Sequence, residues 1–157
     1  MTAPPTLPGG YRAESPAQVR LPAGPQPTDY GSFDGSLTAR YTADSGGVLV
    51  IGGAWGTITD PGAAMTVAIA AMESPHGRWT VPPADVEARD PNDPQGRLTC
   101  GVWTEALLVN AICLWADHYT AGSVDFPAWA EGSPAVLNPA TAADRARRIR
   151  DAMTAPK

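Results

Sequence analysis

Charge is scarce in this chain, and lysine is almost absent. Of eleven basic residues only Lys157 is lysine; the rest are arginine. Asp and Glu number 16, so the formal net charge is −5 and the pI about 4.8. That sign excludes nucleic acid as the main partner, because phosphate binding needs a basic surface. Long apolar runs are missing as well. None approaches the roughly 18 to 20 residues a helix needs to span a bilayer, so no membrane span is expected. The opening residues, MTAPPTLPGG, have neither a basic n-region nor an apolar h-region, and no signal peptide is read there. The expectation is a cytoplasmic chain if Met1 is the true start, or an exported domain without its leader.

Two cysteines and two histidines, His76 and His118, without paired spacing are too few for a zinc site. No metal and no cofactor is therefore expected. The glycines of Gly52-Gly53-Ala54-Trp55-Gly56 resemble a phosphate loop only in composition, since no Lys-Ser/Thr follows them. Cys113, Asp117 and His118 invite a nucleophile reading. On one strand, however, a Cys and a His five residues apart stand roughly 16 Å apart, too far for proton transfer. The acidic residues are dispersed, and Asp117 reads as the side-chain cap of a turn. No catalytic constellation emerges, and the chain is not read as an enzyme.

What is present centres on Arg97 to Phe126. Leu98, Cys100 and Val102 alternate with Thr99, Gly101 and Trp103; Val109, Ala111, Cys113 and Trp115 alternate with Asn110, Ile112, Leu114 and Ala116. Two runs of period 2, close in sequence, predict a β-hairpin with at least one buried face. A turn centred between Ala106 and Leu107 sets Cys100 opposite Cys113, Val102 opposite Ala111 and Leu98 opposite Trp115. Opposed residues at a non-hydrogen-bonded site lie about 4.5 Å apart, within disulfide reach. The alternative is a pair of small buried thiols that stay reduced.

Residues 1–35 carry seven of the 17 prolines and five of the 16 glycines, which predicts an extended arm pinned by Leu7, Tyr11, Val19, Leu21 and Tyr30. Residues 36–157 form a single α+β domain. Val48 to Ile51 is a continuous apolar run typical of a strand covered on both faces, and Gly52-Gly53 marks a bulge or a close backbone approach. Asp60-Pro61 opens a helix as N-cap and first residue. Its apolar face is Met65, Ile69 and Met72, beside Val67 and Ala68, read as core packing against the sheet in preference to a binding groove, and Ser74-Pro75-His76-Gly77 ends it. Trp79 to Val81 and Asp85 to Arg89, separated by Pro82-Pro83, form a strand or a linking loop. Asn138-Pro139 starts a last helix, with Ala142, Ala146, Ile149 and Met153 as its buried stripe. Arg145, Arg147, Arg148 and Arg150 occupy much of its remainder, as a candidate partner surface or a solvated face balanced by Asp144 and Asp151. The expected fold is α+β: an antiparallel sheet of about five strands, two helices packed on one face, and a Pro-rich extended N-terminal arm.

Cys113-Leu114-Trp115-Ala116-Asp117-His118-Tyr119-Thr120-Ala121-Gly122-Ser123-Val124 resembles the C-x-W-A-D-x-x-T-x-G-x-V signature of an uncharacterised actinobacterial (streptomycete-type) ectodomain and lipoprotein family. Trp115, Ala116, Asp117 and Gly122 carry that signature. The resemblance implies an extracytoplasmic domain with paired cysteines, and it assigns no activity. The functional expectation is a non-enzymatic binding or interaction module with a protein partner and an unassigned ligand. The alternative is a cytoplasmic accessory or structural subunit of a larger assembly.

Overall fold

The computed structural model describes residues 1–44, 46–73, 77–105, 108–127 and 138–154. Strands β8 (Arg97–Glu105) and β9 (Leu108–Ala116) pair antiparallel, with Cys100 opposite Cys113, Val102 opposite Ala111 and Leu98 opposite Trp115. The Cys100–Cys113 disulfide is formed, its Cα atoms 4.2 Å apart. The turn expected at Ala106 and Leu107, and the helix end expected at Ser74 to His76, lie outside the described residues.

The sheet extends from this hairpin in both directions. β10 (Thr120–Pro127) pairs with β9, β6 (Val48–Ile58) with β10, and β5 (Gly31–Ala43) with β6. β7 (Gly77–Val86) closes the other edge against β8. Along the free side of β5 lie three short strands in series: β2 (Tyr11–Ala13), β3 (Gln18–Arg20) and β4 (Gln26–Thr28). β1 (Thr6–Leu7) pairs with β2. Every pairing is antiparallel, and the order is β1-β2-β5-β6-β10-β9-β8-β7 with β3 and β4 also on β5.

Among the described residues the sheet therefore has ten strands, not about five. The N-terminal 35 residues are not only an extended arm. Strands of two or three residues leave no periodicity to read, yet they cover the β5 edge, which would otherwise expose unpaired backbone. Leu7 and Tyr11 are buried, Tyr41 donates its hydroxyl to the Pro4 carbonyl at 2.9 Å, and the Thr2 N–H donates to Met153 O at 2.8 Å. β7 accommodates Pro82-Pro83 because it is an edge strand, with register shifts between Trp79 and Val81 and between Val81 and Ala84.

The helices do not share a face. α1 (Pro61–Met72) packs Ala64 and Met65 against Ile58, Ile112, Leu114 and Ala116. α2 (Pro139–Thr154) packs Ala142, Ala146, Ile149 and Met153 on the opposite side, over Cys113, Trp115, Val124 and Phe126. Alternate residues of β9 thus feed two cores, and the strand is buried on both sides. β6 is covered less completely than its Val48 to Ile51 run predicts. Leu49 and Ile51 are fully buried in the core on the α2 side of the sheet, whereas Val50, on the α1 side, is exposed. α1 contacts β8, β9 and β10 and leaves that part of the sheet open.

Candidate functional site: a groove beside the first helix

The residues of the C-x-W-A-D signature build a corner that holds itself. Trp115 is buried, and its ring lies over Gly122, where a Cβ would come within 2.4 Å of Cζ2. The Trp115 indole N–H donates to Thr120 Oγ1 at 3.4 Å, and the Thr120 hydroxyl donates to Asp117 Oδ2 at 2.5 Å. Asp117 Oδ1 accepts the N–H groups of Tyr119 and Thr120, both at 2.7 Å. Ala116 is buried against α1. The signature residues are thereby committed to the β9–β10 turn, and the Asp117 side chain caps it as its position predicts.

His118 extends from this corner to a residue the sequence pattern does not connect with it. Buried Asp93 accepts the His118 N–H at 2.9 Å and faces His118 Nδ1 at 2.5 Å, while Asp93 Oδ1 accepts the Gln95 N–H at 2.9 Å. Burial pushes the Asp93 carboxyl up, but these hydrogen bonds outweigh it and hold the group below the usual carboxylate range. Cys113, in the disulfide, is no nucleophile.

The arginines of α2 divide in two. Arg150 is 1 % exposed, so it cannot belong to a partner surface. Its guanidinium donates to the carbonyls of Ala88 (3.0 Å) and Arg89 (3.2 Å) and to Asp151, with buried Asp90 at 3.6 Å. Arg147 donates to the Glu87 carbonyl at 2.8 and 2.6 Å and pairs with Asp144. Three consecutive carbonyls, 87 to 89, are therefore held by two helix residues one turn apart, around Arg89 at φ 48°. Arg145 is half-buried and Arg148 exposed; both line a shallow pocket of about 290 Å³ with Tyr11 and Gly9.

The least conventional surface belongs to α1. From Pro61 to Met72 its sequence, PGAAMTVAIAAM, contains no charged side chain and only Thr66 with a polar group. Asp60 caps it by accepting the Ala63 N–H at 2.9 Å. A helix apolar all round belongs inside a core, yet only Pro61, Ala64 and Met65 are buried, and Val67 is 47 % exposed. Beside it runs a groove of about 400 Å³. One wall is the α1 stripe of Ala64, Val67, Ala68, Ala71 and Met72. The floor is Gly52 and Gly53 of β6 with Ala121, Gly122 and Ser123 of β10, and Tyr30 and Phe33 stand on the far side. Small residues keep the floor low: a Cβ at Gly52 would already be 3.6 Å from Ser123 Oγ. Phe33 also lines a second open hollow of about 640 Å³ with Val19, Leu21 and Ala54.

Polar groups gather farther along the α1 side of the sheet. Asn110 Nδ2 donates to Asp125 Oδ2 at 3.2 Å, while Asn110 Oδ1 and Asp125 Oδ1 are buried with no hydrogen-bond partner among the described residues. Burial pushes the Asp125 carboxyl up to about 6, against the lowering effect of the Asn110 hydrogen bond. Trp103, opposite Asn110, and Trp79, opposite Trp103, each bury an unpartnered indole N–H.

Comparison with protein-family models, with curated proteins and with solved structures returns no match. The groove must be read on its own chemistry. Among the described residues no group of three or more His, Cys, Asp or Glu is placed to hold a metal, and no helix is long and apolar enough to cross a membrane. Sequence reasoning weighs a binding groove on the Met65, Ile69 and Met72 face and prefers core packing; all three do pack in the α1 cluster, and the groove lies along the neighbouring stripe. The available signal was the absence of any charged face between Pro61 and Met72.

Proposed function

We propose that this protein is a non-enzymatic binding module that takes an elongated apolar ligand in the groove between α1 and the Gly52-Gly53/Ala121-Gly122-Ser123 floor. The observation that carries this reading is the exposed, uncharged α1 helix. Leaving apolar surface in water is unfavourable by about 25 cal/mol per Å², and a contiguous exposed apolar patch of this kind marks an interaction site. The volume falls within the range of small-ligand sites. The Cys100–Cys113 bond supports an oxidising, extracytoplasmic setting for the module.

The test is titration with an environment-sensitive apolar fluorophore, 1-N-phenylnaphthylamine, on the wild type and two helix variants. Ala71→Glu places a charge on the groove wall, whereas Ala70→Glu places the same charge on an exposed neighbour outside it. Binding weakened by Ala71→Glu alone is the expected result. Equal binding by all three proteins would refute the reading.

A further inference from the structure

The groove beside α1 does not end at its far wall. Phe33 stands there, and it also lines the second hollow, with Val19, Leu21 and Ala54. Its ring is set edge-on to Tyr30, the centroids 6.0 Å apart. One row of the sheet joins the two hollows: Arg20 on β3 pairs with Ser36 on β5, Ser36 with Ala54 on β6, and Ala54 with Ala121 on β10. Directly paired residues present their side chains to the same face. Ala121 packs in the α1 cluster, so the whole row lies on the α1 side. Ala121 floors the groove, and Ala54, Ser36 and Arg20 line the hollow. Between Arg20 and α1 the row thus carries nothing larger than a serine.

The path carries charge of one sign only. Among the described residues lining the two hollows, Arg20 is the only charged one. It is exposed and makes no hydrogen bond or ion pair among the described residues. Asp34, at the bulge between Phe33 and Gly35, lines neither hollow. Three strand spacings of about 4.8 Å separate Arg20 from Ala121, roughly 14 Å in all. An extended chain gains roughly 1.2 Å per bond, so about twelve bonds cover the row. We infer that the protein binds a long-chain carboxylate: the alkyl tail lies in the α1 groove, the chain crosses Phe33, and the carboxylate is held by the Arg20 guanidinium. This assignment rests on the groove reading above and adds the ligand's class to it.

The experiment displaces 1-N-phenylnaphthylamine with sodium dodecanoate, dodecanol and dodecylamine near pH 7.5, each below its micellar concentration. The proteins are the wild type, Arg20→Gln, Arg20→Glu, Arg78→Glu and Ala71→Glu. Arg78 is exposed on β7 and pairs through Thr104 with Val109, on the α2 face of the sheet, so its variant makes the same charge change away from the row. Dodecanoate should compete about threefold less well on Arg20→Gln than on the wild type, the size of one exposed ion pair. It should compete less well again on Arg20→Glu, while dodecanol and dodecylamine lose nothing and Arg78→Glu matches the wild type. Dodecanoate binding that is indifferent to both Arg20 variants, that falls equally in Arg78→Glu, or whose loss dodecanol shares would overturn the head-group assignment and leave the groove standing. Displacement that is indifferent to Ala71→Glu would remove the groove and the assignment together.

Discussion

Replacing Arg150 by Met should lower the melting temperature by about 10 °C. The side chain is 1 % exposed, and its ion-pair partner Asp90 is 3 % exposed. Met keeps the aliphatic stem and removes the guanidinium, so the packing of α2 is little changed. What is lost is the positive charge facing Asp90 and Asp151 and the donors to the Ala88 and Arg89 carbonyls. Removing one partner of a buried pair costs about 3 to 5 kcal/mol, mostly because the other charge stays buried without its counter-charge; the Asn92 and Asp93 N–H groups that Asp90 Oδ1 accepts set the expectation at the lower end. For a chain of this length each kcal/mol shifts the midpoint by about 2 to 4 °C. Arg148, exposed on the same helix, supplies the control: Arg148→Met should stay within about 0.5 kcal/mol of wild type. Replacing Asp90 by Asn in the Arg150→Met background should recover part of the loss, since the stranded charge goes with it. Differential scanning calorimetry of the four proteins decides the matter. A midpoint for Arg150→Met within about 2 °C of wild type would refute the clamp.

The disulfide closes a sequence separation of 13 residues, which corresponds to about 3 kcal/mol; urea unfolding of the Cys100→Ala/Cys113→Ala protein should show that loss, and an unchanged midpoint would contradict it. Trp115→Ala should cost about 3 to 5 kcal/mol, and Gly122→Ala should also destabilise, because the new Cβ would meet both the Trp115 ring at 2.4 Å and Gly52 O at 2.7 Å; wild-type stability in both variants would place the Trp115 ring elsewhere. Asp125 gives a pH signature. Its folded pKa, about 6, lies above the unfolded value of about 3.9, so the protonated group favours the fold below about pH 4 and this advantage is lost as pH rises through 6. Asp125→Asn should therefore be more stable than wild type by about 2 kcal/mol near pH 8 and by little near pH 4; a difference independent of pH would show that Asp125 titrates normally.

The register of the central hairpin could be read from the chain because alternation and cysteine spacing impose the same pairing on Cys100, Cys113, Leu98 and Trp115. The Asp60-Pro61 and Asn138-Pro139 starts were legible for a similar reason, since capping is decided within three residues. The strands of the first 35 residues were not. Their backbone partners lie on β5 and they carry too few residues for a pattern. Nor does local spacing tell on which side of a sheet a helix settles. β9 offers apolar side chains to both sides, and the choice depends on chain connection. Arg150 and Asp93 were misjudged or missed because their partners lie 62 and 25 residues away. In α1 the apolar spacing was read correctly as a helix, but Ala71 and Val67, which give the groove its wall, extend the apolar surface beyond any single buried stripe.

Amide chemical-shift mapping with 1-N-phenylnaphthylamine addresses the groove directly. The account predicts that the perturbed resonances cluster at Gly52, Gly53, Ala121, Gly122 and Ser123 and along α1 from Ala64 to Met72. Perturbations confined to the Arg145 and Arg148 pocket, or none at saturating fluorophore, would contradict it.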